Sequence, residues 1–218
     1  IPHETKNLQS NTRDNKALGI YQHYLSYIAT DFGDPDEPDK GSKVAKLIDE
    51  QICSTQRRMS LRSPSETRVG YGLVIGRIQS GKTAHLMGVV SKALDPVETP
   101  SKFDTVIILS GLIDDLRTQT LSRFNDTFED FDGNKPLILP PAERDLTDEN
   151  QEVLDEISNH FVSNDSGKQL VLIIKKNHIV LQHLLDCIPK SQPLRNRRVL
   201  IIDDEADHAS IDTGQEEN

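Results

Sequence analysis

The stretch GRIQSGKT, residues 76–83, sets two glycines and a Lys-Thr pair at the spacing Gly-x-x-x-x-Gly-Lys-Thr. That spacing suits phosphate chemistry. Glycines let the backbone turn tightly, so its N–H groups and the start of a following helix surround an anion with partial positive charge. In such a loop Gly76, Arg77, Ile78, Gln79, Ser80 and Gly81 form the cradle; only the two glycines are fixed by the pattern. Lys82 would reach the β- and γ-phosphates of a nucleotide, and the Thr83 hydroxyl would ligate Mg²⁺. The ligand this implies is ATP with Mg²⁺.

Hydrolysis needs a second group, a carboxylate at a neighbouring strand end that holds the metal, with a base beside it. VLIIDDEADHAS, residues 199–210, supplies candidates for both. The apolar run Val199 to Ile202 reads as a buried strand, so the acids emerge at its carboxyl end, where open α/β sheets place their ligands. The Asp-Glu-Ala-Asp register makes Asp204 the metal-side carboxylate and Glu205 the general base, with Asp207 and His208 as coupling residues. Asp203 is expected to bond locally.

The elements that must position these residues follow from periodicity. Residues 15–32 and 42–59 have helical spacing, with Tyr21, Tyr24, Leu25 and Ile28 on one face and Val44, Leu47, Ile48 and Ile52 on another. DPDEPDKG (34–41) separates them. From residue 71 strands and helices alternate. Strands are expected at 71–76, 104–111, 135–141, 168–177 and 197–207, and helices at 82–94, 112–128, 147–162 and 178–188. Apolar strands separated by helices make a parallel sheet covered on both faces. The fold class is therefore α/β: a RecA-like P-loop domain over 66–218, preceded by an N-terminal helical segment over 1–65.

Composition bounds the function. With 28% charged and 35% hydrophobic residues among 218, the chain is globular in type. Its longest aliphatic run, Leu170 to Ile174, is far short of a membrane span, and its start has no signal-peptide pattern. Cys53 and Cys187 have no metal-ligand spacing and read as free thiols of a reducing compartment, the cytoplasm. The net charge of −10 argues against a broad basic surface for nucleic acid. Two small basic clusters, Arg57 to Arg68 and Arg195 to Arg198, read as solvated surface. The missing initiator Met reads as the mark of a trimmed piece.

Together GRIQSGKT and DEAD (204–207) resemble motifs I and II of superfamily 2 helicase-type motors. VIILSGLIDDLRTQT (106–120) is similar to the segment after motif I in the Z-one domain family, assigned as an endonuclease domain in bacterial restriction and defence loci. The resemblance spans residues 65–212. It implies an ATP-dependent protein that acts on DNA through its full-length form, with other defence-system subunits as partners and no membrane. By analogy with such motors, Ser110, Arg117, Gln119 and Thr120 are nucleic-acid candidates. It also implies a second RecA-like domain whose arginines complete the ATP site, so this piece is expected to hydrolyse slowly. No nuclease constellation accompanies it: Glu143-Arg144-Asp145 lacks the lysine such a site needs, and Lys175 and Lys176 lack the acid. The alternative is a nucleotide-gated interaction module that recruits a nuclease or partner without translocating. A kinase or GTPase leaves the DEAD register unexplained.

Overall fold

The computed structural model describes residues 19–60, 72–74, 81–95, 103–144, 146–147, 149–162, 169–188 and 198–204. Its core is a four-stranded, all-parallel sheet in the order β2-β3-β1-β4, where β1 is Thr105–Ser110, β2 Leu137–Leu139, β3 Leu170–Lys175 and β4 Val199–Asp203. Each strand lies within an apolar run, and alternation along the central strands divides two cores. Val106 and Ile108 of β1 and Val171 and Ile173 of β3 face one side. Ile107 of β1 and Leu170, Leu172 and Ile174 of β3 face the other.

The first side is covered by α1 (Ile20–Asp31), α3 (Lys82–Leu94) and α4 (Asp114–Phe128), and α2 (Lys40–Ser60) lies on α1 and α3. The second side is covered by α5 (Gln151–Val162) and α6 (His178–Cys187). The N-terminal helices therefore share one core with the sheet: Tyr21, Tyr24, Ile28 and Ile52 are buried in the same cluster as Leu86, Val90 and Phe124. Burial follows the expected stripe on α1. On α2 the stripe is rotated: Ala45 and Ile52 are buried, but Leu47 is 58% exposed. One residue turns a helix by about 100°, so Leu47 is carried off the face that Ile48 and Ile52 share.

Close helix crossings explain two glycines. A Cβ on Gly41 would meet the Ala29 carbonyl, and one on Gly88 would meet Ile52 and Tyr24. Helix α1 has Gly19 at its start, which offers no side-chain cap. The buried Asp95 supplies the acceptor instead, taking the Tyr21 N–H at 3.0 Å.

Of the strand expected at 71–76, residues 71, 75 and 76 lie outside the described residues, and the part over 72–74 requires correction. Residues 72–74 lie in no strand, and Leu73 and Val74 are 76% and 60% exposed. An apolar run becomes a strand only where a sheet edge takes its N–H and C=O groups, and among the described residues 72–74 pair with none. Strand β4 stands at that edge of the sheet. Its Leu200 and Ile202 join the first core, while Ile201 on the opposite face is 61% exposed.

Candidate functional site

Lys82 and Thr83 open α3. Gly81 before them has φ of 76°, a left-handed conformation that glycine adopts without strain. Its carbonyl accepts the His85 N–H at 2.9 Å, which closes the first turn. Among the described residues no side chain caps this end of α3. The first-turn N–H groups of a helix have no partner within it and suit an anion. Lys82 is exposed and Thr83 half-buried. Gly76, Arg77, Ile78, Gln79 and Ser80 lie outside the described residues.

Three helices hold this turn through three consecutive residues. Arg123 Nη1 of α4 donates to Thr83 Oγ1 at 3.0 Å. The Tyr24 hydroxyl of α1 donates to the Ala84 carbonyl, and burial pushes that phenol's pKa far up, keeping it a donor. His85 Nε2 meets Thr55 Oγ1 of α2 at 3.1 Å. Burial lowers the His85 pKa below its ordinary 6.5, so the ring is neutral at physiological pH. Periodicity and motif spacing carry no sign of these tethers, because each joins residues at least thirty positions apart.

At the carboxyl end of the sheet the acids separate into two roles. Asp203 ends β4 and is held by Lys176 Nζ at 2.8 and 2.7 Å, the local bonding its position suggests. Asp204 follows, its N–H donating to the Leu109 carbonyl at 3.0 Å. Among the described residues its carboxylate has no ion pair or hydrogen bond, so it remains available to a cation. Glu205, Asp207 and His208 lie outside the described residues. A second network joins α4 to β3. Asp114 pairs with Arg117 at 3.1 Å and with Lys175 at 3.7 Å. The Arg117 bond foremost holds the Asp114 carboxyl below its usual range.

The nucleic-acid candidates do not share one surface. Ser110 is 1% exposed, its hydroxyl donating to the Ile174 carbonyl at 2.9 Å. Arg117 is 1% exposed and also donates to the Ala142 carbonyl at 2.9 Å. Thr120 is buried and donates to the Leu116 carbonyl. Gln119 alone among the four is exposed. Arg117 is drawn inward because its guanidinium joins the start of α4 to the loop after β2.

The chain matches no protein-family model, no curated protein and no solved structure. Among the described residues no helix is long and apolar enough to cross a membrane.

Proposed function

We propose that this chain is the ATP-binding and hydrolysing domain, RecA-like in arrangement, of a helicase-like protein that acts on DNA in bacterial restriction or anti-phage defence. One observation carries the reading furthest. The Gly-x-x-x-x-Gly-Lys-Thr spacing ends at a left-handed Gly81, and Lys82 and Thr83 form the first turn of a helix packed on a parallel α/β sheet. A left-handed glycine at a helix start is a setting in which backbone N–H groups and one lysine can neutralise a triphosphate, and this supports the reading.

The residues present suit Mg²⁺. The Thr83 hydroxyl and the Asp204 carboxylate, which has no ion pair or hydrogen bond among the described residues, could hold it. Both are hard oxygen donors, the type this ion takes. When bound, the metal neutralises charge on the phosphate oxygens. Lys82 orients the β- and γ-phosphates, and Glu205 takes the proton of the attacking water. The placement in DNA defence rests on the resemblance of the three motifs.

The second reading, a nucleotide-gated module that recruits a partner, is favoured by the inward burial of Ser110, Arg117 and Thr120. Steady-state ATP turnover separates the readings when measured on the full-length protein with and without DNA. Stimulation by DNA supports the motor, and indifference supports the module. On this chain alone turnover is expected to be slow and to vanish in Lys82→Ala and Glu205→Gln. Unchanged turnover in both variants would contradict the site.

A further inference from the structure

Arg123 lies about two and a half turns into α4, far in sequence from the phosphate loop, and no motif singles it out. Its guanidinium nevertheless reaches the first turn of α3 and bonds the Thr83 hydroxyl at 3.0 Å. Among the described residues it forms no ion pair, although Asp126 stands one turn away on its own helix. Arg123 is exposed, so its head can turn without opening the core.

We propose that Arg123 is a phosphate-sensing residue supplied by this same chain, one that leaves Thr83 for the terminal phosphate of a bound nucleoside triphosphate. The inference rests on the nucleotide-binding reading above and deepens it. Thr83 Oγ1 offers a neutral acceptor. A γ-phosphate beside Lys82 and Thr83 offers a charged one to the same donors, and such bonds are about twice as strong. The planar guanidinium also presents two parallel N–H donors in a fixed fork that matches two phosphate oxygens, a geometry the ammonium does not fix. A diphosphate ends one group short and offers Arg123 no terminal phosphate. Arg123 thereby distinguishes tri- from diphosphate, a task the resemblance gives to arginines of another domain.

Isothermal titration of the chain with Mg²⁺ and either ADP or adenylyl imidodiphosphate tests this. Arg123→Ala is expected to weaken the triphosphate analogue by roughly 10- to 100-fold while ADP affinity changes by less than about twofold. Arg123→Lys, which keeps the charge and loses the fork, should fall between Arg123→Ala and the parent for the analogue alone. Equal losses for both nucleotides, or no loss in either variant, would overturn the assignment and leave the nucleotide site standing. Failure of the unaltered chain to bind either nucleotide would overturn both.

Discussion

Arg117 and His85 show how single residues of the functional segments are committed to the fold. Arg117 is buried with its guanidinium on Asp114 and the Ala142 carbonyl. Removing it breaks the bonds that tie the start of α4 to the loop after β2 and deletes packed methylenes. Arg117→Ala is expected to lower unfolding free energy in urea by about 2–3 kcal/mol, and the exposed Gln119→Ala by under about 0.5 kcal/mol. Equal values for the two would contradict this role. His85 sets a pH dependence. Its folded pKa is depressed by burial, so the unfolded chain binds the proton more readily as pH falls through 6.5. Stability is therefore full above that value and declines below it. The denaturation midpoint should drop between about pH 7.5 and about pH 5.5, and His85→Gln should flatten that drop. A decline of the same size in the variant would assign it to other groups.

At the scale of elements, the first turn of α3 is held by α1, α2 and α4 together. The N-terminal helices thus position Lys82 and Thr83, beyond padding the sheet. Their own placement depends on Asp95, which follows α3 and caps α1 at Tyr21. Asp95→Ala is expected to cost about 1–2 kcal/mol and to raise amide exchange at the start of α1 before that of β1 or β3. Exchange that stays unchanged there would show that the cap carries no weight. The strands β1, β3 and β4 and the helix α3 were legible in the sequence because their apolar periods are long and unbroken. Residues 72–74 differ from the expected strand because an apolar run carries no information about whether a sheet edge awaits it. Leu47 was misplaced by one position of a helical stripe, and Arg123 was missed because its partner lies forty residues away. The identities of Lys82, Thr83 and Asp204 were read directly from spacing, whereas the inward turn of Arg117 depends on a carbonyl from a distant loop.

For the whole molecule, a parallel sheet gathers its strand ends on one edge, and that edge carries Ser110, Lys175, Asp203 and Asp204. Two of these charges, Lys175 and Asp203, are paired within the fold, while Asp204 is left without a partner among the described residues. The account therefore stands on nucleotide occupancy beside Lys82. Isothermal titration of Mg·ADP into the chain and into Lys82→Ala tests it most directly. The account predicts saturable binding of one nucleotide, with a Kd in roughly the micromolar range, weakened at least about tenfold by Lys82→Ala. No binding by the unaltered chain, or equal affinity in the variant, would contradict it.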